Sequence, residues 1–200
     1  MCFQNDKMNI VQIGSNNGGD DLMHIVFENR SQISKLILVE PLSVHHEQLS
    51  RCYQGFPYVI EKVAIVEKMN QKEISFFYHI NDGPGYEVAS LSREHILKHA
   101  SINPNLTESG IVEEKVPCLT VAQLLDRHQI SSVDLLFIDA EGFDDVIIKS
   151  IDFSRYQINN IVYENLHINK NDLENYLKTR GYSVTPKWGK NGWSTWALKQ

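Results

Sequence analysis

Apolar runs of strand length that end in glycine or in carboxylates constrain the fold of this chain more than any other feature. They cover residues 9–13, 35–40, 133–142 and 159–165, and segments with helical character lie between them. Continuous apolar strands separated by helices are typical of a parallel sheet that is covered on both faces. Right-handed crossovers make such a sheet doubly wound. The sequence therefore predicts an α/β fold with a mostly parallel sheet, closed by a C-terminal hairpin from residues 182–186 and 193–199. It also predicts a strand over 58–66, a helix that begins at Ser43 and a later helix that ends at Gly181.

Length, charge and cysteine content narrow the class of protein. The 200 residues suit one domain spanning 1–200. A net charge of −6 without a dense basic block argues against nucleic acid or an anionic membrane as partner. No apolar run reaches the roughly 20 residues of a membrane helix. Three cysteines without a pairing pattern predict reduced thiols and a cytoplasmic location. The sequence carries no signal for oligomeric state.

Polar residues cluster where four of the predicted strands end. The first strand ends near Gly14, the second at Glu40, a later one at Asp139, and the next at Glu164 and Asn165. A carboxylate that follows a buried strand is costly unless it is solvated or paired. Ligands of open α/β sheets bind beyond the carboxyl ends of the strands. We therefore expect these residues to share one pocket.

The spacing of the first glycines indicates the kind of ligand. Gly14 and Gly18 form G-x-x-x-G rather than the G-x-G-x-x-G of dinucleotide folds. Asp20 and Asp21, at the start of the next helix, would repel a diphosphate. Glu40 lies about 20 residues beyond the glycines, where a carboxylate accepts hydrogen bonds from ribose hydroxyls. A nucleoside ligand without phosphates, S-adenosylmethionine, fits this combination.

Several segments, in this order, resemble the FkbM-type methyltransferases, a class I family that depends on S-adenosylmethionine. They are VQIGSNNG, LVEP, KVAIV, VPCLTVAQLL, LLFIDAEGFDDVIIKSID and IVYEN. The resemblance implies a Rossmann-like, seven-stranded sheet with an antiparallel last strand. It implies a cofactor site around the methionine part (Gly14, Ser15, Asn16 and Gly18), the ribose (Glu40 and Pro41), the adenine (Val63 and Ala64) and the methionine or acceptor (Asp139).

One position departs from the family pattern. Gln12 stands in the first strand where many class I members have an acidic residue. Glutamine keeps the hydrogen bonding but loses the charge that attracts the ammonium group of the cofactor. Asp21 is a candidate to compensate for it, and so we count both residues in the cofactor site. An aromatic NPPY-type motif is missing, which argues against methylation of base amino groups and favours a hydroxyl of a sugar, glycan or secondary metabolite.

A hydroxyl acceptor needs a base or a Lewis acid. Asp139, Glu164 and Asn165, with Glu141 as a possible fourth ligand, resemble the Mg²⁺ site of catechol-type O-methyltransferases. The alternative is that these groups only hydrogen-bond the cofactor and the neighbouring loops. Asp139 and His167 are the candidate catalytic residues, and His167 is a candidate base. The other candidate base is His79, and the remaining helix histidines are interpreted as surface residues.

The irregular segment 81–110 is expected to face the substrate, a small-molecule or carbohydrate acceptor. Candidate acceptor contacts are Tyr86, Ser90 and Arg93 in this segment and Trp188, Trp193 and Trp196 near the C-terminus. Two other interpretations stay open. One is a module that binds NAD or another nucleotide without methyl transfer, and the other is a non-catalytic scaffold with a methyltransferase-like fold.

Overall fold

A seven-stranded sheet forms the centre of the fold. The computed structural model describes residues 7–70, 72–83 and 88–200. The strands are β1 (Met8–Ile13), β2 (Ile33–Val39), β3 (Tyr58–Glu61), β4 (Ala64–Ile65), β5 (Glu73–His79), β6 (Ile111–Leu119), β7 (Ser132–Val133), β8 (Leu135–Ile138), β9 (Gln157–Ile158), β10 (Asn160–Glu164), β11 (Tyr182–Trp188) and β12 (Ser194–Lys199). The helices are α1 (Asp21–Glu28), α2 (His46–Cys52), α3 (Arg93–Lys98), α4 (Val121–Arg127), α5 (Asp144–Lys149) and α6 (Lys170–Thr179).

The strand order of the large sheet is β11-β12-β10-β8-β1-β2-β3. Strands β3, β2, β1, β8 and β10 are parallel, whereas β12 runs antiparallel to both β10 and β11. This arrangement confirms the predicted mostly parallel sheet and its terminal antiparallel hairpin. Smaller sheets form from β4, β6 and β5 and from β7 and β9.

Alternate residues of the central strands face two hydrophobic cores, one on each side of the sheet, as in a doubly wound fold. Ile10 packs with Leu22 and Val26 of α1 on one side of the sheet. Its neighbour Val11 packs on the other side, in a core that includes Leu124 of α4. Because both faces are covered, the strands read as continuous apolar runs rather than alternating ones. Among the described residues, no helix combines the length and apolar character that crossing a bilayer requires.

Some boundaries differ from the sequence prediction. The run at 58–66 is not one strand, because β3 belongs to the large sheet while β4 pairs with β6. The helix expected to begin at Ser43 starts as a 3₁₀ turn, Ser43–His45, and no side chain caps it. The loop is instead held by Glu40, whose carboxylate accepts the N–H of Leu42 at 2.8 Å.

The carboxyl ends of β1, β2, β8 and β10 lie side by side. Ile13 pairs with Val39 on one side and with Ile138 on the other, and Ile138 neighbours Tyr163. Gly14 follows at φ 80°, and a Cβ at this position would lie 1.7 Å from the carbonyl oxygen of Asp139. Gly14 is therefore required by the neighbouring strand end and not only by the turn.

The Gly14→Ala substitution tests this contact, with Gly83→Ala as the matched control. Gly83 also has a positive φ, 82°, but a Cβ added there would have no heavy atom of the described residues within 4 Å. We expect Gly83→Ala to lose about 1–2 kcal/mol of unfolding free energy from backbone strain alone. Gly14→Ala should lose at least about 4 kcal/mol or fail to fold. Chemical denaturation measures the unfolding free energy of both variants. Equal losses would contradict a steric clash between a Cβ at position 14 and the carbonyl oxygen of Asp139.

Candidate functional site

A cavity of about 560 Å³ opens where the four strand ends meet. It contains most of the residues that the sequence analysis assigned to a cofactor site. Those lining it are Gly14, Asn16, Asp21, Glu40, Pro41, Val63, Ala64 and Asp139, together with Glu164 from the predicted metal set. The strand-end residues therefore share one pocket, as expected.

Three predicted cofactor residues lie beneath this cavity instead of lining it. Gln12 and Ser15 are both fully buried. Gln12 donates a hydrogen bond through its amide to the carboxylate of Asp20. A Cβ on Gly18 would meet side chains of α2, with Leu49 at 3.1 Å. Gly18 thus serves the packing of the turn against α2 and is not among the residues that line the cavity.

Backbone hydrogen bonds hold the carboxylate of Glu40 in place at the cavity. Only 4% of its surface is exposed, and its two oxygens accept the N–H groups of Asn16 and Leu42, each at 2.8 Å. Burial raises the pKa of Glu40 to about 7, although the two backbone hydrogen bonds act in the opposite direction. Glu40 is therefore a preoriented acceptor whose charge changes near neutral pH.

Asp20, which the sequence analysis used only as a helix-start charge, also lines the cavity. It caps α1 by accepting the N–H of Leu22 at 2.9 Å, and burial raises its pKa to about 6. Because Gln12 bonds directly to Asp20, the acidic group nearest to Gln12 is Asp20 rather than Asp21. The carboxylate of Asp21 accepts the N–H of Lys190 at 3.0 Å and so joins α1 to the C-terminal hairpin.

A second group of carboxylates lies at the ends of β8 and β10. Asp144 is completely buried and accepts the N–H groups of Ala140 at 3.3 Å and Glu164 at 3.1 Å. Burial, and then the charge of Asp139, raise the pKa of Asp144 to about 8. Glu164 has a pKa raised to about 9 by burial and by Asp139, Glu141 and Asp144. Its Oε2 is buried without a hydrogen-bond partner among the described residues.

The predicted Mg²⁺ ligands are only partly brought together. Asp139 and Glu164 line the same cavity. Asn165 is buried beneath it, and its amide donates to Thr195 Oγ1 at 2.9 Å. The side-chain amide of Asn165 is thus engaged with the hairpin, and Asn165 is not among the residues that line the cavity.

The histidines differ most from expectation. His79 is fully buried, with Nε2 2.9 Å from the carbonyl oxygen of Thr107, so it supports the segment 81–110 and is not a candidate base. His45 and His95 are buried rather than on the surface. His128 bonds to Glu61 at 2.7 Å.

His167 lies outside the cavity lining, with its Nε2 3.9 Å from Oε2 of Glu141. Ligand atoms of His167, Glu141 and Glu164 lie within 4.8 Å of one another, and both glutamates line the cavity, so His167 lies directly next to its wall. Burial lowers the pKa of His167, and the nearby His95 and His99 lower it further.

The C-terminal hairpin and the segment 81–110 complete the wall. Trp188 and Trp193 line the cavity, as do Ala89 and Leu91. Trp196 packs edge-on against Trp188 and donates to Asn160, which gives it a structural role. Ser90 pairs with Phe77 through the backbone, and Arg93 forms an ion pair with Glu108. Tyr86 and Cys2 lie outside the described residues.

The lining is strongly acidic. Among the described residues it includes six carboxylates (Asp20, Asp21, Glu40, Asp139, Glu141 and Glu164) and one lysine, Lys190. A concave surface of this kind focuses a negative potential that attracts cations and repels phosphates. The site therefore suits a positively charged ligand.

The Asp144→Asn substitution tests whether the buried carboxyl group of Asp144 is protonated in the folded protein. Because the pKa of Asp144 rises from 3.8 to about 8 on folding, the folded state holds a proton that the unfolded state releases between these values. Stability is then lost as pH rises from about 4 to about 8. We expect thermal denaturation of Asp144→Asn to depend less steeply on pH than the wild type.

The neighbouring Asp145→Asn variant is the control, since Asp145 forms an ion pair with Lys149 at 3.1 Å outside the cavity. Its pH dependence should match the wild type. Parallel curves for Asp144→Asn and the wild type would show that Asp144 is ionised in the folded protein.

Comparisons with known proteins agree with the fold. The family model of the methyltransferase FkbM domain matches residues 8–184. A comparison with curated protein sequences gives no significant match. Among solved structures, the methyltransferase FkbM from Methylobacillus flagellatus KT is similar, with a TM-score of 0.60 and 10% sequence identity. The similarity covers 99% of this chain and 45% of that longer one. The chain therefore belongs to the FkbM methyltransferase family.

Proposed function

We propose that the protein transfers a methyl group from S-adenosylmethionine to a hydroxyl of a sugar, glycan or secondary metabolite. The acidic lining of the cavity carries this proposal, because the cofactor combines a sulfonium and an ammonium group with a nucleoside and has no phosphate. A dinucleotide such as NAD would bring its diphosphate against Asp20 and Asp21, which line the cavity at the start of α1. Membership of a methyltransferase family supports the same reaction class.

The residues of the cavity fit the parts of this cofactor. Glu40 holds a preoriented carboxylate at the end of β2, which suits the two ribose hydroxyls. Val63, Ala64 and Ile65 form an apolar wall suited to the adenine ring. The turn after β1 and the carboxylate of Asp20 suit the methionine part.

The cofactor supplies an electrophilic methyl group whose sulfur leaves as a neutral thioether. The protein must therefore align the acceptor oxygen and remove its proton. Asp139 lines the cavity at the end of β8 and is the best candidate to take this proton. The raised pKa of Glu164, about 9, keeps this side chain protonated near neutral pH, so it suits a hydrogen-bond donor to the acceptor rather than a base.

The acceptor side is suited to a hydroxylated small molecule. Trp193 is 52% exposed and lines the cavity beside Asn191 and Ser194. An exposed aromatic face next to polar groups is a suitable surface for a sugar ring. Ala89 and Leu91 add contacts from the segment 81–110, which supports a substrate-facing role for that segment.

Glu40→Gln tests the cofactor assignment, with S-adenosylhomocysteine as the titrated ligand. Loss of a charged acceptor should weaken binding about 10- to 100-fold in isothermal titration calorimetry. Because the pKa of Glu40 is about 7 and ribose hydroxyls favour the ionised form, wild-type affinity should rise about tenfold from pH 6 to pH 8. The variant should lack this pH dependence.

Glu47→Gln on α2 is the control, since Glu47 is exposed and pairs with Arg51. It should bind as the wild type does. If NAD raises the melting temperature of the wild type and S-adenosylhomocysteine does not, the nucleotide-binding interpretation replaces the proposal.

Asp139→Asn tests the proton acceptor. With the best acceptor from a mass-spectrometric screen of sugars and hydroxylated metabolites, kcat should fall about 10²- to 10⁴-fold, and the affinity for S-adenosylhomocysteine should change much less. Asp145→Asn should keep its turnover. If the protein binds the cofactor but methylates nothing in the screen, the non-catalytic scaffold is favoured. Unchanged turnover in Asp139→Asn would exclude Asp139 as the base.

A further inference from the structure

Three histidine rings meet beside the ends of β8 and β10. The ring centroids of His95 and His99 are 4.8 Å apart, and that of His167 lies 4.9 Å and 5.2 Å from them. One ligand atom from each of the three rings lies within 4.8 Å of the others. We call these residues the histidine cluster.

The chain builds the histidine cluster from distant segments. His95 and His99 are one helical turn apart, on α3 and at the start of the 3₁₀ turn that follows it. His167 comes from the loop after β10. Gly142 allows the approach, because a Cβ there would lie 3.3 Å from the Cβ of His167.

Hydrogen bonds orient the rings. Nδ1 of His99 lies 3.0 Å from the carbonyl oxygen of His95. A carbonyl oxygen only accepts, so this nitrogen carries the proton and the lone pair of His99 is on Nε2. Hydrogen bonds of this kind fix the tautomer of metal-binding histidines.

A carboxylate completes the arrangement. Oε2 of Glu141 lies 3.1 Å from Nε2 of His95 and 3.9 Å from Nε2 of His167. Glu141 adopts a left-handed backbone conformation, φ 48°, which is unfavourable for glutamate. This strained conformation places its carboxylate between the rings and the cavity that it also lines.

We propose that the histidine cluster and Glu141 bind a divalent transition metal ion of the Zn²⁺ class. Three imidazoles and one carboxylate are a typical donor set for Zn²⁺ or Co²⁺, whereas Mg²⁺ prefers oxygen ligands. This site shares only Glu141 with the sequence-based Mg²⁺ hypothesis, which used Asp139, Glu164 and Asn165 with Glu141 as a fourth ligand. Ligands of a tetrahedral ion lie about 3.3 Å apart, so binding requires side-chain rotations that bring the four groups closer.

The metal would have a defined position in the molecule. It would fasten α3, within the segment 81–110, to the loops that follow β8 and β10. Through Glu141 it would also place a positive charge at the wall of the cavity, next to Asp139 and Glu164. The proposal does not rest on the proposed methyl transfer, since the ligands need no cofactor to assemble.

Co²⁺ titration of the tag-free protein, followed by visible absorption, tests the site without any cofactor. We expect one equivalent to bind per chain with the spectrum of four-coordinate Co²⁺, and Zn²⁺ to displace it while Mg²⁺ does not. His99→Gln and His167→Gln should each weaken binding at least about 100-fold. His167 is exposed, so its substitution leaves the core intact.

His24→Gln is the control, because His24 is an exposed histidine on α1 that lines the cavity but does not belong to the histidine cluster. It should bind Co²⁺ as the wild type does. The proposal is overturned if Co²⁺ does not bind, or if His99→Gln and His167→Gln bind as tightly as His24→Gln. Displacement by Mg²⁺ together with loss of binding in Asp139→Asn would assign the ion to the strand-end carboxylates instead.

Discussion

The contact between the turn after β1 and the end of β8 is the constraint on which the site depends. The N–H groups of Gly14 and Ser15 both donate to the carbonyl oxygen of Val39, each at 3.0 Å, and the N–H of Asp139 donates to the carbonyl oxygen of Ile13 at 2.9 Å. Three strand ends are thereby joined, and only a residue without a side chain fits at position 14. The location of the cavity follows from this junction.

The acidic character of the cavity follows from the same geometry. Parallel strands bring their carboxyl-terminal residues to one edge, and here several of those residues are acidic and poorly solvated. Burial raises the pKa of Glu40, Asp144 and Glu164 toward or above neutrality. The folded chain by itself therefore holds protons where a cationic ligand would supply positive charge. The proposed sulfonium cofactor would favour the ionised form of a carboxylate that it contacts, such as Glu40.

Several structural features that depend on local sequence patterns were predicted correctly from the sequence. Continuous apolar runs identified β1, β2, β8 and β10, and their polar ends identified Glu40 and Asp139 as cavity residues. Gly181, expected to end α6, has φ 80°. These features depend on periodicity and on residues that are close in the chain.

Other features depend on contacts between distant segments, which no local pattern encodes. His95 reaches Glu141 across 46 positions of sequence, so its helical surroundings suggested a surface residue. Gly18 packs on α2, although its position in a glycine turn suggested a ligand contact. Asp144 lies two residues after the segment DAEG (139–142). No local pattern indicated that its carboxylate would accept the backbone N–H of Glu164.

The hairpin that closes the cavity has a consequence for how this protein could diversify. The family model ends at residue 184, whereas Trp188, Lys190 and Trp193 line the cavity beyond that point. The turn between β11 and β12 lies outside the parallel part of the sheet. Mutations there would remodel the mouth of the pocket while the junction of β1, β2 and β8 stays intact, so under the proposed function a change of acceptor would not require a change in the folding of the sheet.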